Sequence, residues 1–213
     1  MSVRAVIFDC DGTLVDSGRL SHDVLLRYLL VLGIEISRDE ATRLFGSGKL
    51  GDDILRFERE TGTRLPSNFE DELRWRREIA MRDQLREVRG ASDVVRAVRV
   101  PICVASNGPR EQTELSLRTV GLLEPFRGRI FSAYDVQSWK PDPGLFLHVA
   151  NAIGVAPAEC VVVEDSLVGV EAGLAAGMTV LGYAESGEPP WPNHVPTLRQ
   201  LNELLAHLSA STL

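Results

Sequence analysis

Long apolar runs are missing from this chain. No stretch reaches the roughly 20 residues that a membrane-spanning helix needs, so no membrane span is expected. Cysteine is scarce. Cys10, Cys103 and Cys160 are widely separated, share no CxxC spacing, and each lies in or beside an apolar run. That pattern speaks against a disulfide framework or a zinc site and predicts buried free thiols in a reducing compartment. A surplus of basic charge is missing too. The formal net charge is −7, and the arginines at 74–77 and 82–89 alternate with Asp and Glu, as on solvated helix faces. A nucleic-acid surface, which needs clustered Lys and Arg, is therefore not expected. An anionic small molecule is still allowed, because a local cluster or a bound cation outweighs global charge at short range. The N-terminus enters a strand-like segment almost at once, without the layout of a secretory leader. The expectation is a cytoplasmic protein acting as a monomer, with no internal repeat.

What is present is the pattern of an α/β protein. The 213 residues suffice for one large domain or a domain with an insert. Short apolar runs recur as VRAVIF (3–8), PICVAS (101–106), RIFSAY (129–134), CVVVED (160–165) and MTVLGY (178–183). Helical patterns fall between the later runs, at 109–120, 143–153 and 167–176, and a final helix is expected over 197–208. Continuous apolar strands alternating with helices predict a parallel sheet covered on both faces. Between the first and second runs this rhythm stops. Helical stretches at 21–32, 38–45, 50–61 and 68–87, broken at Gly33, at GSG (46–48) and at TGTRLPSN (61–68), exceed what one crossover requires. The chain is thus expected to carry an all-helical insert at 17–87 in a core built from 1–16 and 88–213.

Polar residues stand just past the apolar runs. Asp9 and Asp11 follow the first, Ser106 and Asn107 the second, Lys140 the third after a short loop, and Glu164 and Asp165 the fourth. In open parallel sheets ligands bind beyond the carboxyl ends of the strands. Four segments therefore deliver carboxylates, a hydroxyl and a lysine to one edge. Asp9, Asp165 and Glu164 offer oxygen ligands, with no His or Cys converging on them, which suits a hard cation such as Mg²⁺. Lys140, the Ser106 hydroxyl and the backbone N–H groups around Asn107 and Gly108 suit a phosphate.

Taken in order, DCDGTLVDS, VASNG, KPDP and VVVEDSLVGVEAG resemble the four signature motifs of the haloacid dehalogenase superfamily, and the helical insert resembles its cap. The resemblance covers essentially the whole chain. The branch it is similar to holds sugar-phosphate phosphatases and β-phosphoglucomutase, and VPICVASNGPR with FSAYDVQSWKPDPGLF looks most like bacterial 6-phosphogluconate phosphatases. The resemblance implies a Rossmann-like core with an inserted helical cap, a small phosphorylated substrate and Mg²⁺. It implies Asp9 as nucleophile and metal ligand, and Asp11 as general acid/base lending its carbonyl to the metal. Ser106, Asn107 and Lys140 would hold the phosphoryl group, and Asp165 with Glu164 would complete the metal site. Dehalogenases of this superfamily do not keep an Asp at the second position, so Asp11 favours phosphoryl transfer.

Two alternatives accompany this expectation. A phosphosugar mutase would hand the phosphoryl group to a second hydroxyl. A phosphoacceptor signalling domain uses a similar residue set but places its acceptor after a later strand and lacks a helical insert. In the insert, Lys49 lies in FGSGKLGD, which lacks the spacing and preceding strand of a Walker loop. Lys49 and Arg77, with Arg76 beside it, are the candidates for substrate selection. AESGEPPWPNHVP (184–196) is expected to be a surface loop, with Trp191 and His194 exposed. His22, His148 and His207 fall in helical patterns and are assigned no role. Gly169, Gly173 and Gly177 predict close packing of their helix on the sheet.

Overall fold

The computed structural model describes residues 2–45 and 49–210. The break expected at 46–48 lies outside the described residues. The chain divides into two compact units, one of residues 1–16 with 86–213 and one of Ser17–Leu85.

The first unit is built on six parallel strands, β1 (Ala5–Phe8), β2 (Ile102–Ser106), β3 (Ile130–Ser132), β4 (Cys160–Glu164), β5 (Thr179–Tyr183) and β6 (Thr197–Leu198), in the order β3-β2-β1-β4-β5-β6. Every residue of β1, β2 and β4 is buried, which is why these segments read as unbroken apolar runs rather than alternating ones. All three cysteines are buried free thiols within this unit. Burial pushes the Cys103 thiol up to about 11 and raises those of Cys10 and Cys160, so all three behave as small apolar side chains.

The second unit contains α1 (Gly18–Val31), α2 (Arg38–Phe45), α3 (Leu50–Thr61) and α4 (Phe69–Gln84). Its core is aromatic: Tyr28 stacks on Phe69 at 5.0 Å, and Phe45 meets both Phe57 and Phe69. Helix α4 stops at Gln84, three residues before the end expected from its pattern, because Leu85 turns extended. Residues 86–88 then run antiparallel to residues 14–16: Asp16 N–H donates to Arg86 O and Val88 N–H to Leu14 O, each at 2.9 Å.

The remaining helices belong to the first unit: α5 (Ala91–Ala97), α6 (Arg110–Thr119), α7 (Ala133–Val136), α8 (Gly144–Ile153), α9 (Leu167–Ala175) and α10 (Glu203–Ala210). No described helix is long and apolar enough to cross a membrane. Three details differ from the sequence expectation. Strand β3 ends at Ser132, whose hydroxyl accepts from Tyr134 N–H at 3.1 Å and starts the short α7 inside the run expected to be extended. The final helix begins at Glu203 rather than Thr197, because Gly182 N–H donates to Pro196 O and Ala184 N–H to Leu198 O, drawing 197–198 into the sheet. Helix α5 has no counterpart among the predicted elements.

Trp191 is a correction of a different kind. The loop that carries it is turn-rich and His194 is exposed, but Trp191 is only 4% exposed. Its indole covers Gly182 so closely that a Cβ there would lie 2.3 Å from two ring carbons, and its Nε1–H donates to Thr197 Oγ1 at 3.0 Å. A glycine in a strand often marks such an approach. Replacing Gly182 by Ala is expected to lower the unfolding free energy by about 1–3 kcal/mol through overpacking, with loss of near-UV dichroism from Trp191, measured by urea denaturation.

Candidate active site

The parallel register decides which residues meet. Phe8 pairs with Val104 on β2 and with Val163 on β4. One residue further along, Asp9, Ala105 and Glu164 stand side by side where the three central strands end. Asp9 is held there by its own N–H, which donates to Val163 O at 2.9 Å.

Lys140 arrives from the loop after α7 and lies across these three residues. Its ammonium donates to Asp9 Oδ1 at 2.6 Å, to Glu164 Oε1 at 2.6 Å and to Ala105 O at 2.9 Å. An ammonium has three protons, so these acceptors account for all of them. The side chain is 2% exposed, and the Phe146 ring lies 5.1 Å from its nitrogen. Burial pulls the lysine's pKa down, but the charges of Asp9 and Glu164 outweigh it and hold the ammonium above its ordinary value.

The chain after β1 folds back as a tight turn. Leu14 and Val15 N–H both donate to Cys10 O, and Gly12 N–H donates to Val15 O at 2.8 Å. Gly12 takes φ +90°, which favours glycine, and a Cβ on it would lie 1.9 Å from Asp165 Oδ2. The turn therefore lies directly on the Asp165 carboxylate. Asp11 sits in this turn, half-buried. After β4, Glu164 Oε2 accepts from both the N–H and the hydroxyl of Ser166 at 2.9 Å, and Ser166 caps α9 by accepting from Gly169 N–H at 3.1 Å. A Cβ at Gly169 would lie 1.9 Å from Glu164 Cδ. The close helix packing expected of the glycines holds for Gly169, where it is also contact with a site carboxylate, and for Gly173, which packs against Val180 and Val162, but not for Gly177, which follows the end of α9 with φ +73° and open space around it.

Asp9, Glu164 and Asp165 each present an oxygen within 4.8 Å of the others. Burial raises Asp9 to about 8 against the pull of Lys140, with Glu164 and Asp11 adding to the rise. Asp165 keeps part of its surface exposed. Desolvation, then the charges of Asp9 and Glu164, push its carboxyl well above the usual range. With all three ionised, the carboxylates (−3) against one ammonium (+1) leave −2. Oxygen donors with two unbalanced negative charges fit a hard divalent cation.

Ser106 is buried at the end of β2; its hydroxyl accepts from Gly108 N–H at 3.0 Å and keeps a proton to donate. The Asn107 carboxamide is turned to the backbone of Lys140, accepting from its N–H at 2.9 Å and donating to its O at 3.4 Å. Asp9, Asp11, Ser106, Asn107, Lys140, Glu164 and Asp165 all belong to the first unit. Lys49 and Arg77 are half-buried in the second, where Lys49 precedes α3 and the charge of Arg77 acts on buried Asp53. Sequence reasoning missed Ser166 and the Ala105 carbonyl. Ser166 carries a weak signal as a serine opening a helical pattern, whereas a backbone carbonyl carries none.

A parallel sheet whose central strand tips bring buried carboxylates and a lysine together is an α/β arrangement suited to holding a cation beside an anionic group. The haloacid dehalogenase-like hydrolase family model matches residues 3–177. The chain belongs to this family. It is 34% identical to 6-phosphogluconate phosphatase of Escherichia coli over 209 residues, covering 97% of this chain and 92% of that one. It is 31% identical over 180 residues to a phosphorylated carbohydrates phosphatase of Thermotoga maritima, covering 83% and 82% of the two chains. Among solved structures it resembles a family hydrolase from Deinococcus radiodurans with bound phosphate and sodium, at 30% identity and TM-score 0.78, over 99% of this chain and 96% of that one.

Replacing Lys140 by Met leaves Asp9 and Glu164 facing each other without a counter-charge. The unfolding free energy at neutral pH is expected to fall by about 3–5 kcal/mol. Asp9, already raised to about 8, would rise further. A carboxyl raised in the folded state binds its proton on folding, so the loss shrinks as pH falls towards the unfolded value near 4. Urea denaturation of the variant across that range checks both the size and the sign.

Proposed function

We propose that this chain is a Mg²⁺-dependent phosphatase that hydrolyses a small sugar phosphate or phosphorylated sugar acid, with 6-phosphogluconate as the first candidate. The observation that carries this reading is the Asp9 carboxylate, held by Lys140 at 2.6 Å on one side and grouped with Asp165 and Glu164 on the other. The phosphatase relatives support the substrate class.

In this reading a carboxylate oxygen of Asp9 attacks phosphorus, the bond from phosphorus to the sugar oxygen breaks, and an aspartyl-phosphate forms. Asp11 donates a proton to the departing alkoxide. It then takes one from the water that attacks the aspartyl-phosphate, which returns Asp9 as a carboxylate and releases inorganic phosphate. General acid–base help of this kind is worth about 10²–10⁴-fold. The Ser106 hydroxyl and the backbone N–H of Asn107 orient the phosphoryl oxygens, and Lys140 offsets charge beside the nucleophile. Asp9, Glu164 and Asp165, with the carbonyl of Asp11, would hold Mg²⁺, which when bound would supply the positive charge that lets an anionic nucleophile meet an anionic substrate. The helical unit, Ser17–Leu85, is the cap, and Lys49 and Arg77 on it are the proposed selectors of the sugar.

A phosphate-release screen over phosphorylated sugars, sugar acids and nucleotides with Mg²⁺ tests the assignment. Turnover of sugar phosphates is expected, with its loss on chelation and in Asp9→Asn, which stays folded. Full turnover after chelation, or in Asp9→Asn, refutes the mechanism. Inert 6-phosphogluconate beside a strongly preferred nucleotide refutes the substrate, and isomer formation without phosphate release marks a mutase.

A further inference from the structure

Lys140 is placed by very little regular structure. It lies in the loop at 137–143, between α7 and α8, with no strand partner to set its register. Trp139 packs against the core of the first unit, and within the loop Ser138 Oγ–H donates to Asp142 Oδ1 at 2.6 Å, Asp142 N–H donates to Trp139 O at 2.9 Å, and Gly144 N–H donates to Asp142 Oδ1 at 2.7 Å. These bonds shape the turn but do not locate it on the sheet. Yet the ammonium must sit within hydrogen-bond reach of three acceptors at once, on a side chain with four rotatable carbons.

The carboxamide of Asn107 supplies a polar link at Lys140 itself. It follows directly on β2, and its Oδ1 and Nδ2 engage both backbone polar groups of Lys140, at 2.9 and 3.4 Å. This two-point pairing fixes the α-carbon of Lys140 in both position and orientation. It also ties that α-carbon to the same strand whose Ala105 carbonyl receives the ammonium at 2.9 Å. The lysine is thus held at root and tip by residues two apart on one chain segment.

We propose that Asn107 is a positioning residue whose side chain serves the reaction through Lys140, by clamping its backbone, rather than by touching the phosphoryl group. This rests on the phosphatase reading for its kinetic consequences, but not for its structural one.

The chain has only two lysines, Lys49 and Lys140. Reductive methylation followed by mass spectrometry therefore reads Lys140 directly, with Lys49 as the internal reference. In the wild-type protein Lys140 should resist labelling. In Asn107→Ala its rate relative to Lys49 should rise about tenfold, as expected for the loss of two hydrogen bonds. Asn107→Asp, which keeps an oxygen for the Lys140 N–H, should fall between the two and serves as the test if the alanine variant does not fold. Leu204→Ala, which leaves a cavity under α10 where that helix meets α5, should leave Lys140 protected, which separates release of the clamp from general loosening. On a turned-over sugar phosphate, Asn107→Ala should lose about 10–100-fold in kcat, the cost of misplacing a reacting group, with KM changing much less.

Unchanged labelling of Lys140 in both Asn107 variants overturns the clamp, whatever happens to activity. So does a loss confined to KM, which would mark direct contact with substrate. If the wild-type protein releases phosphate from no substrate, the phosphatase reading fails, while the labelling still decides the clamp.

Discussion

The ammonium of Lys140 lies where water does not reach it, 2.6 Å from each of two carboxylates, and the rest of the site is arranged around that contact. A buried charge left without a partner costs several kcal/mol. Asp9, Glu164 and Lys140 are therefore tolerable together and intolerable singly. The parallel register makes the arrangement possible by bringing Asp9, Ala105 and Glu164 to one level at the ends of three adjacent strands. The lysine does not neutralise the group completely. With Asp165 included, two negative charges remain when all three carboxyls are ionised, and burial first, with the neighbouring carboxylates adding to it, raises Asp9 and Asp165. The same imbalance that makes this edge electrostatically expensive is what makes it fit a divalent cation.

Crowding is the second constraint, and glycine relieves it. Gly12 and Gly169 each lie where a Cβ would be 1.9 Å from a carboxyl atom, of Asp165 and of Glu164 respectively. These are steric requirements rather than matters of loop flexibility. Asp165 lies beneath the turn that follows β1, and Glu164 beneath the first turn of α9. Both carboxylates are thus confined by backbone, Glu164 by its hydrogen bonds to Ser166 and Lys140 as well, and side-chain rotation within the site is restricted.

The sequence made the architecture legible where burial was symmetric. Strands covered on both faces must be apolar throughout, so β1, β2 and β4 stand out, and a parallel sheet gathers polar residues at the ends of its strands. Legibility failed where a backbone group or a single close approach decides the outcome. Residues 197–198 join the sheet through backbone hydrogen bonds that no side chain announces. Trp191 is buried because Gly182, nine residues earlier and on another element, leaves room for an indole. Asn107 sits beside the expected phosphate-binding serine, and only the path of the 137–143 loop shows that its carboxamide meets Lys140. Residue types at strand ends are local information, whereas these partners are set by tertiary register.

The choice of cation at position 140 follows from the same geometry. Of 23 basic residues only two are lysines, leaving 21 arginines, so this chain uses arginine for nearly every other positive charge. The surface pairs bear this out: Arg74 with Glu70 and Arg82 with Glu78 match one carboxylate to one guanidinium, each at 2.6 Å. At the site the demand is different. Two carboxylates and a carbonyl belonging to three strands converge on a single nitrogen at 2.6–2.9 Å. A guanidinium spreads its donors over a rigid plane and cannot direct three of them to one point, while an ammonium presents three protons from one compact centre. An arginine here would keep the charge and lose the convergence, separating Asp9 from Glu164 and opening the cluster that the two glycines hold closed. Charge alone therefore does not define this position; the shape of the donor does.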